Sequence, residues 1–262
     1  MRDGLLAGDV AVVTGASRGI GLAIVEALCE SGAACALGGR DAQALAGVCS
    51  KLGRAGYQAM WGECDVRDHA SLARFAELVL RRFAKVDIVI ANAGVAGPTG
   101  PCHEIAPSEW QACIDTDLTG VYLTFRQFIP HLLERRSGSL IAVGSVTGKR
   151  PLLGRAPYAA AKMGVIGLVR TLALELGPYG IRVNCLCPGS VEGERIAAVI
   201  AHDARVRDVS VEEATRLHTG PSALGRLVRG DEVAKACVFL ASRDSSAITG
   251  QDLNVSAGAV MY

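Results

Sequence analysis

Aromatic residues are scarce in this 262-residue chain: two Trp, five Tyr and five Phe make up 5% of it. A surface that stacks nucleic-acid bases needs more of them. Neither sign of charge prevails, with 27 Lys and Arg against 26 Asp and Glu, which excludes a broad basic footprint for nucleic acid or an anionic membrane. No run approaches the roughly 20 apolar residues that cross a bilayer. No basic-then-apolar leader opens the chain, so a cytoplasmic location is expected. The nine cysteines are an odd number without a C-x-x-C pair and read as buried free thiols of a reducing compartment. Cys185 and Cys187 are expected to alternate faces on a strand. No His, Cys and Asp grouping has metal-site spacing, so no metal is expected. His202 and His218 read as isolated surface residues.

Glycine, by contrast, is plentiful at 31 residues, and half of the chain is hydrophobic. At this length one α/β domain over residues 1–262 would bury about three quarters of its unfolded surface. Short apolar runs alternate with amphipathic stretches. Val10–Val13, Ala33–Leu37, Tyr57–Cys64, Val86–Ile90, Ser139–Val143, Ile181–Leu186 and Asp252–Val255 read as strands, with Tyr57–Cys64 the weakest pattern. Between them, Leu22, Ile24, Val25 and Leu28 recur at helical spacing, Asp41 opens a second helix, and Leu72, Phe75, Leu78 and Val79 mark a third. One long helix is expected over Pro107–Glu134, and another runs from Tyr158 towards Gly177-Pro178, where glycine and proline stop it. Continuously apolar strands separated by helices point to a doubly wound α/β domain: a seven-stranded, mainly parallel sheet covered on both faces. Gly189–Val228 breaks the rhythm. Polar and poorly strand-like, it reads as a helical excursion or substrate lid.

Two motifs carry chemistry. Thr14-Gly15-Ala16-Ser17-Arg18-Gly19-Ile20-Gly21 joins the first strand to the first helix. Glycines there allow a tight turn and let backbone amides approach a pyrophosphate at the helix N-terminus, the Rossmann-type arrangement. In Tyr158-Ala159-Ala160-Ala161-Lys162 the phenol and the ammonium, four residues apart, share a helix face. Pro157 suits the first helical turn. A lysine beside a phenol favours phenolate, so Tyr158 could exchange a proton with an alcohol or carbonyl oxygen near neutral pH. Ser145 follows the fifth apolar run, which would bring its hydroxyl out at a strand end.

Together these residues resemble the classical short-chain dehydrogenase/reductase family. Thr14 to Gly21 matches its glycine loop, Asn92-Ala93-Gly94 its Asn-Ala-Gly, and Ser145, Tyr158 and Lys162 its Ser, Tyr and Lys at the usual separations; Pro188-Gly189 also fits. The resemblance covers essentially the whole chain. It implies that Ser145 holds the substrate oxygen, Tyr158 is the acid or base, and Lys162 assists the tyrosine and binds the nicotinamide ribose. The cofactor would lie against Gly15, Ser17, Arg18, Gly19, Ile20 and Gly21, then Asp65 and Val66 at its adenine, Asn92, Ala93 and Gly94, and finally Pro188, Gly189 and Val191. Where members that use NAD carry Asp, the chain reads Leu37-Gly38-Gly39-Arg40. Arg40 and Arg18 stand where the family binds the 2′-phosphate, and guanidinium suits phosphate. NADP(H) is therefore expected, with NAD(H) the alternative.

The chain departs from the family in two places. Asp117 replaces the Asn that completes a catalytic tetrad by holding a local helix distortion and a water that reaches the lysine. A charged Asp117 would pair with Lys162 or raise its pKa and so change the pH dependence of turnover; the alternative is a tolerated swap in which backbone groups do the work. After Pro188-Gly189, glycine (Gly193) stands where the family commonly has Thr near the carboxamide, within Ser190-Val191-Glu192-Gly193. Glu192, Glu194 and Arg195 could line the substrate entrance, although a solvated mobile loop is the simpler expectation. Arg155, just before the Tyr158 helix, could attract an anionic substrate.

The expected activity is hydride transfer between nicotinamide and a carbonyl/secondary-alcohol substrate, 3-oxoacyl-reductase-like or a small-alcohol dehydrogenase. The alternatives are an NAD-linked dehydrogenase of a diol or hydroxylated ring compound and a non-catalytic dinucleotide-sensing homologue. Family analogy suggests a homotetramer.

Overall fold

Val10–Thr14 (β1) buries every residue, which a strand can do only where both faces of its sheet are covered. The computed structural model, which describes residues 4–262 apart from the side chains of Arg195, His202, Asp203 and Val206, shows how. Six further strands join β1: Ala34–Gly39 (β2), Ala59–Glu63 (β3), Ile88–Ala91 (β4), Gly138–Val143 (β5), Ile181–Pro188 (β6) and Asp252–Val255 (β7). Their order is β3-β2-β1-β4-β5-β6-β7, and every pairing is parallel. Parallel neighbours need crossovers, and the helices Gly19–Glu30 (α1), Ala42–Arg54 (α2), His69–Phe83 (α3), Pro107–Ile114 (α4), Gly120–Arg135 (α5), Ala156–Leu176 (α6) and Gly230–Ala241 (α9) supply them. Glu194–Arg207 (α7) and Val211–Thr219 (α8) form the helical excursion between β6 and α9.

The period-two alternation of the strands sorts the core into two layers. Val12, Ala36, Val89, Leu140 and Val183 face α3, α5 and α6, where Phe75, Phe125 and Phe128 are fully buried. Ala11, Val13, Leu37, Ile90 and Ile141 face α1, α2 and α9. Each such Val, Leu, Ile or Phe side chain contributes about 2 kcal/mol relative to exposure. Expectation and structure differ in three places. Tyr57–Cys64 shortens to Ala59–Glu63, an edge strand with only Gly62 buried, and its thin apolar pattern reflects that edge. Cys185 and Cys187 do not alternate faces: residues i and i+2 share one face of a strand, and their sulfurs lie 3.8 Å apart. Sharing that contact and burial push the Cys185 thiol up. The long helix over Pro107–Glu134 is interrupted by a π-helical turn, Asp115–Thr119.

Asp252 ties the sheet edge to the segment behind Ser145. Its carboxylate pairs with Lys149 at 2.6 Å and Arg170 at 2.8 Å. Burial would raise this acid, but the two cations outweigh it and hold the carboxyl below the usual range.

The sheet reverses its winding between β1 and β4, which lie side by side although two strands separate them in sequence. Ligands of open α/β sheets bind at the C-terminal ends of the strands at such a switch point.

Candidate active site at the switch point

Main-chain atoms form the floor of the crevice. Gly15 adopts φ +66°, and a Cβ on Gly21 would stand 2.2 Å from the Gly15 oxygen, so only glycine lets the loop close onto α1. Asn92 donates from Nδ2 to the carbonyls of Thr14 (2.9 Å) and Gly15 (3.1 Å). The buried Thr14 hydroxyl receives the amides of Asn92 (3.2 Å) and Ala93 (3.3 Å). The ends of β1 and β4 are thereby fastened before any ligand arrives. Asp41 caps α2 and Asp68 caps α3, but Arg18 at the start of α1 makes no side-chain cap and no acid lies in that first turn. A positive helix terminus is left for an anion. Ser17 and Ile20 are half-buried beside it, while Arg18 and Gly19 are exposed.

The adenosine end lies one strand over. The Ala16 amide donates to the Gly38 carbonyl at 3.2 Å and the Cys64 amide to the Gly39 carbonyl at 2.8 Å, fixing the ends of β1, β2 and β3 together. Arg40 is exposed just beyond β2. Arg67 grips both carboxylate oxygens of Asp65, at 3.0 and 2.6 Å. That pairing, with Arg40 adding its charge, holds the Asp65 carboxyl below its usual range. Val66 is buried behind it and meets α5, where any Cβ on Gly120 would lie 2.7 Å from Val66 Cγ2.

Ser145 stands two residues beyond β5, and its hydroxyl accepts the Thr147 amide at 3.1 Å. Gly148 lets this turn pack directly on α6, since a Cβ there would lie 2.8 Å from the Lys162 backbone. Lys162 is 4% exposed. Its Nζ donates to the Val143 carbonyl at 3.1 Å and lies 3.5 Å from Asp117 Oδ2 and 5.5 Å from the centre of the half-buried Tyr158 ring. A buried lysine is tolerable only when so surrounded.

Asp117 is wholly buried. Its Oδ1 accepts the Val95 amide at 2.7 Å, and its Oδ2 makes no hydrogen bond. The π-helical turn carries this side chain to both neighbours at once. Within the turn the Thr116 hydroxyl bonds back to the Ala112 carbonyl at 2.8 Å, as threonines of the regular helices also do. A regular helix over these residues would present different spacing, which is why the uninterrupted reading fails here.

Past β6, the Gly189 amide donates to the Val255 carbonyl at 3.0 Å, and a Cβ at Gly189 would stand 3.0 Å from Ser256 Cα. Val191 is half-buried and bridges Val228 in parallel, so this loop is anchored and not merely solvated. Glu192 and Glu194 are exposed. The side chains of Arg195 and His202 lie outside the described residues.

The expected residues thus gather along the C-terminal ends of β1, β2, β3, β4, β5 and β6. Sequence reasoning missed the role of the Thr14 hydroxyl, Arg67 and the contacts of Arg155. Arg67 had a readable signal, an arginine two residues after the adenine-side aspartate. Thr14 was legible only as the first residue of the glycine loop; its partners and those of Arg155 gave no signal, because they are distant in sequence.

The short chain dehydrogenase family profile matches residues 9–204. A protein assigned as ketoacyl reductase 1 of the granaticin polyketide synthase in Streptomyces violaceoruber is 38% identical over 261 residues, 99% of this chain and 96% of its own. The cis-4-hydroxycyclohexanecarboxylate dehydrogenase of Sinomonas cyclohexanicum is 37% identical, covering 95% of each chain. Among solved structures, a Phe-to-Trp variant of the actinorhodin polyketide ketoreductase with NADPH superimposes with a TM-score of 0.92 at 36% identity, covering 97% of this chain and 98% of that one. With the sheet order, the glycine cradle and these matches in agreement, the chain belongs to the short-chain dehydrogenase/reductase family.

Proposed function

We propose that the protein is an NADP(H)-dependent oxidoreductase that moves hydride between nicotinamide and a carbonyl/secondary-alcohol substrate. The observation that carries this is a buried Lys162 beneath Tyr158, with Ser145 at the next strand end and a glycine cradle on the same edge of the sheet. The crevice fits the cofactor: Gly15, Gly19 and Gly21 clear space that any Cβ would crowd or strain, and α1 offers an uncapped N-terminus. Ser17, Arg18 and Ile20 would meet the pyrophosphate, Arg18 and Arg40 the 2′-phosphate, and Asp65 and Val66 the adenine. Asn92, Ala93, Gly94, Lys162, Pro188, Gly189 and Val191 would border the nicotinamide half. When bound there, the reduced cofactor supplies a hydride to the substrate carbon.

The chain's own residues handle the oxygen. The Ser145 hydroxyl donates to it and orients it; its turn is already ordered by the Thr147 amide. As the carbon accepts the hydride, the carbonyl π bond opens and the proton of the Tyr158 hydroxyl passes to the oxygen, leaving the alcohol. Oxidation reverses each transfer. The Lys162 ammonium stabilises the negative charge left on the phenol oxygen, and Asp117 holds Lys162 in place. We expect Asp117→Asn to keep the Val95 bond but lose the charge facing Lys162, so its pH–rate profile should be displaced from the parent's. Superimposable profiles would remove any special role for the carboxylate.

The ketoreductase relatives, one of them crystallised with NADPH, support reduction of a 3-oxoacyl-type carbonyl. The cyclohexanecarboxylate dehydrogenase supports a second reading, oxidation of a hydroxylated ring. We also infer one domain over residues 1–262, with 189–228 as its substrate lid, a cytoplasmic location and a homotetramer. The apolar side chains exposed on α5 and α6, Tyr122, Met163 and Leu174, favour that assembly. A panel of 3-oxoacyl thioesters, cyclic ketones and cyclic alcohols with NADPH, NADP and their NAD counterparts tests the activity. NADPH-dependent reduction is expected; tight NADPH binding without turnover would favour the sensing homologue.

A further inference from the structure

We propose that Arg155 is a positioning residue: its guanidinium clamps the loop between β4 and α4 and fixes the ring of Tyr158 at the cleft. This rests on the proton-transfer role just proposed for Tyr158. Three contacts converge on one side chain. One terminal nitrogen donates to the Ala96 carbonyl at 2.5 Å, the other to the Thr99 hydroxyl at 3.1 Å, and the guanidinium carbon stands 4.9 Å from the centre of the Tyr158 ring. Both terminal nitrogens are thus engaged by the protein, which argues against the anion-attracting role suggested by sequence alone.

The position is a poor one for arginine on local grounds. Arg155 is the residue preceding α6 and makes no side-chain cap; helix N-termini favour Ser, Thr, Asp or Asn and disfavour a cation. A residue that breaks a local rule points to a gain elsewhere, and here the gain is the loop. Gly154, at φ +73°, turns the chain so that its carbonyl receives the Gly100 amide at 3.0 Å. Gly97 passes beside the tyrosine: a Cβ on it would lie 3.9 Å from Tyr158 Cβ.

The other grip on this loop comes from Asp117, which holds the Val95 amide while its second oxygen faces Lys162. Asp117 therefore takes the N–H of one residue and Arg155 the C=O of the next. The phenol is held through its own helix by Lys162 and Arg155 and through the loop by both grips. A loop fastened in this way keeps the tyrosine hydroxyl aimed at one point, which is what a proton donor needs.

The test compares the parent with Arg155→Met, which retains the apolar stem, and Arg155→Lys, which retains the charge. For Arg155→Met, kcat with a neutral carbonyl substrate should fall by about tenfold or more while KM and the affinity for NADPH stay within about threefold. Arg155→Lys should recover part of that loss, because the cation over the ring returns without the paired donors. Amide hydrogen exchange reads the clamp without turnover. The Gly100 amide should exchange about tenfold faster in Arg155→Met, while the Val95 amide, held by Asp117, keeps the parent's rate. Parent-level kcat together with unchanged Gly100 exchange overturns the proposal. So does a loss confined to KM for anionic substrates, which would make Arg155 a substrate contact. If the parent binds NADPH but reduces no carbonyl, the catalytic reading fails, and the exchange rates still decide the clamp. Should Arg155→Met not fold, Arg155→Lys, with its single donor group, carries the same exchange comparison.

Discussion

Tyr158→Phe should lower kcat by about a thousandfold while leaving NADPH affinity within about twofold of the parent. Only the phenol oxygen is removed. The ring remains to pack against Arg155, which lies 4.9 Å from its centre, so the loop clamp persists. Lys162 keeps its bond to the Val143 carbonyl and its pairing with Asp117, so no charge is stranded in the core. The same cannot be said of removing Lys162, which would leave the fully buried Asp117 without a cation and cost about 3–5 kcal/mol of stability. The phenylalanine variant is therefore the clean probe of proton transfer. Steady-state turnover and a fluorescence titration with NADPH measure the two quantities separately. A variant within tenfold of the parent would mean that the proton comes from elsewhere, and a parent without turnover would leave the sensing homologue.

Much of this was legible in the sequence because its signals are local. A strand covered on both faces has to be apolar throughout, and β1, β4 and β5 are read directly as such runs. The glycine loop and Tyr158 with Lys162 announce themselves by spacing within one turn or one helix face. What escaped has distant causes. The π-helical turn at Asp115–Thr119 brings Asp117 to an amide 22 residues away, at Val95, and no periodicity within the helix encodes that partner. Arg155 binds residues 59 and 56 positions upstream. Asp65 is the local exception: its carboxylate is held by Arg67, only two residues on, a pairing the sequence could have shown. The edge strand β3 was vague for another reason: its neighbour on one side is solvent, so selection for apolar residues is relaxed.

Gly39→Asp should reverse the cofactor preference, lowering kcat/KM with NADPH by about a hundredfold or more while NADH use rises. Thr14 pairs with Gly38 across β1 and β2, and the Ala16 amide ties the glycine loop to Gly38. Arg18 and Arg40, both exposed, therefore leave adjacent strands at the same end. Two guanidiniums so placed can take a 2′-phosphate from two directions, and each charge-assisted contact is worth about 1.5–3 kcal/mol. Of the two glycines ending β2, only the second can accept a side chain. A Cβ on Gly38 would lie 2.8 Å from the Phe75 ring, whereas one on Gly39 would meet Leu45 at 3.5 Å, an ordinary contact. An aspartate at 39 thus enters without disturbing the strand. Its carboxylate would repel the phosphate and accept from a ribose 2′-hydroxyl instead. Arg40→Ala, by comparison, should weaken NADPH binding by about tenfold to a hundredfold and leave NADH use nearly unchanged, since it removes an attraction and adds no repulsion. Measuring kcat/KM with both cofactors for the parent and the two variants separates these effects. A parent that already uses NADH as well as NADPH, or a Gly39→Asp variant that keeps the parent's preference, would show that the phosphate is not read at this end of β2.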